Sequence, residues 1–152
     1  MNPNRILILR LSSIGDIILS SFFIRQVSNT YPNSQIDFVI KDQFKDLVQF
    51  NPKINKIFTV DHKKGIGSLF DLRKKFKKTK YDYIFDLHNN LRTRFLLMGI
   101  NKSRKWRISK DKFKRALFVY FKSNMYKEIK SIPLRYLETG FQVGIKDDQK
   151  GL

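Results

Sequence analysis

Four short runs rich in aliphatic and β-branched residues recur along the chain: RILILRL (5–11), IDFVI (36–40), KIFTV (56–60) and YDYIFDL (81–87). Their near-continuous apolar character predicts strands buried on both faces. Between the first two, Ile17, Ile18, Phe22, Ile24 and Val27 recur with a period near 3.6, which predicts a helix over 14–30. A turn at YPNSQ (31–35) follows, and a short helix over 43–50 is expected to stop at Asn51-Pro52. Further helices are expected over 69–78, 91–98, 113–122 and 132–143, with a short strand near 104–108. Strands alternating with helices imply a parallel α/β sheet covered by helices on both faces. Ligands of such sheets settle beyond the carboxyl ends of the strands. That rule singles out two polar loops, Leu11 to Asp16 and Leu87 to Arg94.

At 152 residues the chain is one domain's worth, and 41% hydrophobic with 14% aromatic content argues against disorder. It has no cysteine, so disulfides and thiolate metal sites are excluded. The apolar stretch near the start, Ile6 to Leu9 and then Leu11, is broken by Arg10 and is too short for a signal peptide's core. No other run approaches the ~20 residues of a membrane span. The expected location is the cytoplasm.

The net charge of +18 is uneven. Residues 1–50 carry five Lys/Arg and four acids, leaving a net +17 on the remainder. Two runs concentrate it, RKKFKKTK (73–80) and KSRKWRISKDKFKR (102–115). Such a surface attracts phosphates, whether of nucleic acid, an anionic membrane or a small substrate. The second run interleaves Trp106 and Phe113 with eight cations, a composition compatible with single-stranded nucleic acid. No recognisable nucleic-acid motif accompanies it, so that partner is disfavoured.

In the first loop, Ser13 and Asp16 have capping-box spacing: the serine accepts an orphan amide and the acid sits in the first helical turn. The alternative is chemical. A carboxylate at the carboxyl end of a strand, beside Ser12, Ser13 and the backbone of Gly15, can take a proton from a substrate hydroxyl. One glycine falls short of a dinucleotide fingerprint or a P-loop.

The stretch RILILRLSSIGDIILSSFFIRQV, followed by YPNSQIDFVI, resembles glycosyltransferase family 9, the ADP-heptose:lipopolysaccharide heptosyltransferases. The resemblance continues through YDYIFDLHNNLRTR and, more loosely, LRYLETGFQVGIKDD. It implies that Asp16 is the catalytic base and that Ser12, Ser13 and Gly15 lie against the reacting sugars. It also implies a Rossmann-like sheet, the first half of a GT-B glycosyltransferase. Members have two such domains, with the acceptor in the first and the nucleotide-sugar donor mainly in the second. Residues 1–152 are therefore expected to be the acceptor-binding domain, with the donor-binding domain absent and the chain inactive alone.

DLHNNLRTR (86–94) sets an acid, an imidazole, two amides and two guanidiniums within nine residues. Asn89 or Asn90 can cap the next helix, and both arginines can simply be solvated. Arginine forks also match phosphate and carboxylate oxygens. The resemblance assigns this region to the acceptor pocket, with Asn89, Arg92 and Arg94 on the substrate and Arg92 the favoured contact. His88 has only His62 as a possible imidazole partner, and Asp-x-Asp does not occur, so no metal is expected. No cofactor is expected; the implied donor is ADP-heptose or a similar nucleotide sugar. The implied partner is a lipid-anchored anionic core saccharide, with peripheral contact to an anionic inner membrane. The alternatives are a basic nucleic-acid-binding module and an inactive domain that binds an anionic saccharide.

Overall fold

β1 (Arg5–Leu9) forms the centre of a five-stranded sheet because it is apolar toward both sides, with Ile6 to Leu9 fully buried. The computed structural model describes residues 2–61, 63–100, 102–109 and 131–151. The helix expected over 113–122, together with Phe113 and His62, lies outside them. β1 runs into α1 (Ile14–Thr30), then β2 (Gln35–Lys41), a 3₁₀ helix (Asp42–Leu47) and β3 (Lys56–Val60). There follow α2 (Ile66–Lys78), β4 (Tyr83–Asp86), α3 (Leu91–Leu96) and β5 (Arg104–Arg107). The last described elements are α4 (Ile132–Gly140) and a 3₁₀ turn (Phe141–Val143).

All strand pairs are parallel, in the order β3-β2-β1-β4-β5. Alternation along β1 sends Ile6 and Ile8 to one face and Leu7 and Leu9 to the other. The first face packs on Ile17, Phe23, Ile24 and Val27 of α1 and on Tyr136 and Leu137 of α4. The second packs on Leu69, Leu72 and Phe76 of α2 and on Leu96 beside them. The expected α/β architecture is the one observed.

The structure differs from the sequence reading in several element boundaries and in one core position. β1 ends at Leu9, although Leu11 is also fully buried. The element expected over 43–50 is a 3₁₀ helix that starts one residue earlier and ends three earlier. α2 begins at Ile66 rather than Leu69, because Gly65 takes φ 53° and Ser68 Oγ donates to the carbonyls of Asp61 and Gly65. Along α1, Ile18 is 55% exposed, and Phe23 fills the core instead.

The chain leaves β1 toward β2 and β3, then returns to β4 on the other side. The strand order therefore reverses between β1 and β4, where doubly wound sheets open a crevice at their carboxyl ends. The two strands stay in register there: Leu9 pairs with Asp86, and the Leu87 amide donates to Leu9 at 3.0 Å.

Candidate functional site

Ser13 precedes α1 with an extended backbone and acts as its N-cap; the Ser12–Ser13 peptide bond is cis. Asp16, three residues on, is half-buried in the first turn. Ser13 Oγ donates to Asp16 Oδ2 at 2.9 Å and the Ser13 amide approaches the same oxygen at 3.4 Å. Arg10 forms an ion pair with Oδ2 as well. Among the described residues, every hydrogen bond and ion pair of this carboxylate is on one oxygen. Among the described residues, Oδ1 accepts no hydrogen bond.

Arg10 was not among the residues singled out from the sequence. It follows the last residue of β1, and its side chain is only 11% exposed. Nη2 meets Asp16, while Nη1 donates to the Leu87 carbonyl at 2.5 Å, tying the loop after β1 to the loop after β4. Its guanidinium carbon lies 5.7 Å from the centre of the Tyr136 ring of α4. Tyr136 OH in turn approaches the Asp16 carbonyl at 3.4 Å. A signal for Arg10 was present: a cation closing an otherwise aliphatic strand, directly before a serine pair.

Partial burial works to raise the Asp16 pKa. The Arg10 charge, followed by the Ser13 hydrogen bonds, outweighs it and holds the carboxyl below its ordinary value. Asp16 is thus ionised at neutral pH, with one oxygen fixed and the other accepting no hydrogen bond among the described residues. Ser12 is half-buried and Gly15 exposed. A methyl group at Gly15 would meet nothing within 4 Å, so the space over this helical turn is open.

The second loop is built around Asp86, at the end of β4 and fully buried. It accepts the amides of His88 at 3.1 Å and Asn89 at 2.7 Å, and the Thr93 hydroxyl at 2.8 Å. Burial raises its pKa against those bonds and against Arg107, whose Nε stands 3.8 Å away. Asn90 caps α3: its Oδ1 accepts the Thr93 amide at 2.9 Å, and Thr93 Oγ1 accepts the Asn90 amide at 3.0 Å.

Asn89 takes φ 46° and spends its side chain on structure. Its Nδ2 donates to the Ile108 carbonyl at 2.8 Å and its Oδ1 accepts Arg94 Nε at 3.2 Å. Arg94 is exposed but tethered by that bond. Arg92 is exposed and makes no hydrogen bond or ion pair among the described residues. Of the two loop arginines, it is the one without such a partner among the described residues.

Trp106, on β5, stacks on Phe85 at 5.2 Å and donates Nε1 to Gln142 at 3.0 Å. This ring is therefore engaged by the protein itself. No group of three His, Cys, Asp or Glu among the described residues is placed to hold a metal ion. No helix among them is long and apolar enough to cross a membrane.

No protein-family model matches the chain. Curated relatives do. Lipopolysaccharide heptosyltransferase 3 of Escherichia coli is 28% identical over 114 residues, which is 72% of this chain and 33% of that protein. Lipooligosaccharide heptosyltransferase 2 of Haemophilus ducreyi is 29% identical over 94 residues, 60% of this chain and 27% of that protein. The glycosyl transferase family 9 structure from Veillonella parvula superimposes with a TM-score of 0.77 at 26% identity, over all of this chain and 45% of that one. The chain is a homologue of the family 9 heptosyltransferases. E. coli heptosyltransferase WaaC with ADP shares the fold at a TM-score of 0.73 and 16% identity, covering 96% of this chain and 49% of its own. The chain thus spans between about a quarter and a third of the length of these curated relatives and just under half of the solved ones.

Proposed function

We propose that residues 1–152 form the acceptor-binding half of an inverting glycosyltransferase that moves heptose from ADP-heptose to the lipopolysaccharide inner core. The observation that carries this reading is the divided carboxylate of Asp16. Oδ2 is pinned by Arg10 and Ser13, and Oδ1, at the end of the sheet where the strand order reverses, accepts no hydrogen bond among the described residues.

Asp16 Oδ1 takes the proton of an acceptor hydroxyl as that oxygen attacks the anomeric carbon of the donor. The new C–O bond forms on the face opposite the leaving group. The bond from the anomeric carbon to the phosphate oxygen breaks, and ADP departs with its electron pair. Protonated Asp16 then loses its proton to water. A base so placed contributes typically ~10²–10⁴-fold to rate. Arg92 holds an anionic group of the acceptor, Arg94 and Asn89 shape the rim, and Ser12, Ser13 and Gly15 present backbone to the sugars. The donor's adenine and diphosphate belong to a second domain, and bringing the two sugars together is the larger entropic task. No metal or cofactor takes part. The acceptor's lipid anchor calls for a cytoplasmic protein with peripheral contact to an anionic membrane.

The test is calorimetry on residues 1–152 followed by assay after joining to a family donor-binding domain. The expected result is binding of an anionic inner-core saccharide, no binding of ADP-heptose, and transfer only after joining. Saccharide binding with no transfer after joining favours the inactive saccharide-binding domain. Tight binding of ADP-heptose by the chain itself contradicts the division of labour.

A further inference from the structure

α2 and α3 lie side by side on the face of the sheet opposite α1 and α4, and their outer sides are unusually apolar. Ile66 is 68% exposed, Phe70 55%, Leu91 84% and Met98 54%. On α2, Ile66 and Phe70 stand four residues apart and so share a side; on α3 Leu91 and Phe95 do the same, and Met98 follows in the turn beyond it. The two rows are one surface, because the Phe70 and Phe95 rings meet edge to face at 4.9 Å. Arg73 borders it, with its guanidinium 4.9 Å from the centre of the Phe95 ring and Nε donating to the Met98 carbonyl at 3.1 Å. Lys74 and Lys77 continue the cationic side of α2, and Lys77 lies across Gly99. Both helices follow strands and so begin at the carboxyl edge of the sheet, the edge at which α1 and Asp16 also begin.

Exposed apolar side chains edged by lysine and arginine are the pattern of an interfacial surface, in which apolar groups enter the headgroup boundary and cations meet lipid phosphates. Charge decides the occupant. A second copy of a chain with net charge +18 would set the same cations against each other. An anionic bilayer complements both parts. We propose that the α2–α3 face docks on an anionic lipid bilayer, with Ile66, Phe70, Leu91 and Met98 inserted and Arg73, Lys74 and Lys77 on the headgroup phosphates. The inference takes its purpose, a lipid-anchored acceptor, from the proposed transferase reading.

Co-sedimentation with vesicles tests it, comparing phosphatidylcholine alone with phosphatidylcholine mixed with phosphatidylglycerol, neither containing saccharide. The chain is expected to bind the mixed vesicles, weakly in high salt, and not the neutral ones. Ile66→Ser with Leu91→Ser should reduce binding about tenfold or more. Lys74→Gln and Lys77→Gln should each reduce it about fivefold, the equivalent of ~1 kcal/mol per cation. Phe141→Ser, at an exposed position beyond α4, should bind as the parent does. Leu91→Ser alone, checked by circular dichroism, guards against a folding defect in the double variant. Equal binding to both vesicle types, no binding, parent-like binding by the surface variants, or lipid-free dimerisation through the patch overturns the proposal. Because the vesicles carry no sugar, a failure of the transfer chemistry leaves this result unchanged.

Discussion

The Arg10 guanidinium bridges Asp16 and Leu87, giving Nη2 to the carboxylate and Nη1 to the carbonyl, so one side chain spans the crevice between β1 and β4. This contact makes Asp16 a weaker base and a better positioned one. The cost in basicity is set by the lowered pKa; the gain is an oxygen held at a fixed place.

Replacing Arg10 therefore has a signed consequence for pH dependence. A general base works when deprotonated, so the acidic limb of kcat/KM follows the Asp16 pKa. With Arg10 present that limb lies below the ordinary carboxylate range. In Arg10→Met the burial of Asp16 is opposed only by Ser13, and the limb should move to higher pH. Arg10→Lys keeps the charge and should move it less. Full pH–rate profiles of the joined enzyme check this, and an unmoved limb in Arg10→Met would count against Asp16 as the titrating base.

Stability at low pH should depend on a different carboxylate. Asp148 receives the side chains of Gln26 at 2.8 Å, Arg25 at 3.1 and 3.2 Å and Asn29 at 3.1 Å, anchoring the 146–151 segment to α1. The Gln26 bond first, with Lys150 and Arg25 assisting against desolvation, holds its pKa at about 2. A folded-state value below the unfolded value of ~3.9 stabilises the fold above that value, and the contribution is lost as pH falls through the folded one. Thermal melts should show the parent losing its advantage over Asp148→Asn between about pH 4 and pH 2, with the two alike below.

Thr93 ties Asp86 to the α3 cap through one buried hydroxyl. Thr93→Val keeps the shape and removes both bonds, leaving a buried carboxylate and an amide without that partner. Denaturant unfolding should show a loss of about 1–3 kcal/mol.

Two glycines should separate folding from function. At Gly140 an added methyl would sit 2.6 Å from Ile145 Cδ1, a fully buried side chain, so Gly140→Ala should cost about 1–3 kcal/mol. At Gly15 a methyl meets nothing, so Gly15→Ala should leave stability within about 0.5 kcal/mol. If a sugar lies against that turn, Gly15→Ala should still raise KM for the acceptor. Paired melting and kinetic measurements distinguish the two effects.

Much of this was legible in local pattern. Aliphatic runs mark β1 to β4 and helical spacing marks α1 to α3, since those signals depend on neighbours in sequence. The boundaries at Leu9 and Ile66 were not, because they depend on pairing and on the backbone angle of Gly65. At the site, Asp16 stood out by type and place. Its division into a held and a free oxygen did not, because that requires knowing where the Arg10 side chain turns. Asn89 read as a substrate contact, yet its amide joins β5 to the loop, a pairing of residues far apart in sequence. Asp148 and Gln26, 122 residues apart, meet for the same reason.

The most direct test replaces a single oxygen. Asp16→Asn in the enzyme completed by a donor-binding domain keeps the shape of the Asp16 side chain and removes the charge that takes the proton. The expected result is a fall in kcat of about 10²–10⁴-fold with acceptor affinity little changed. Turnover near that of the parent, in a variant with the same melting temperature and acceptor binding, would contradict the assignment of the base.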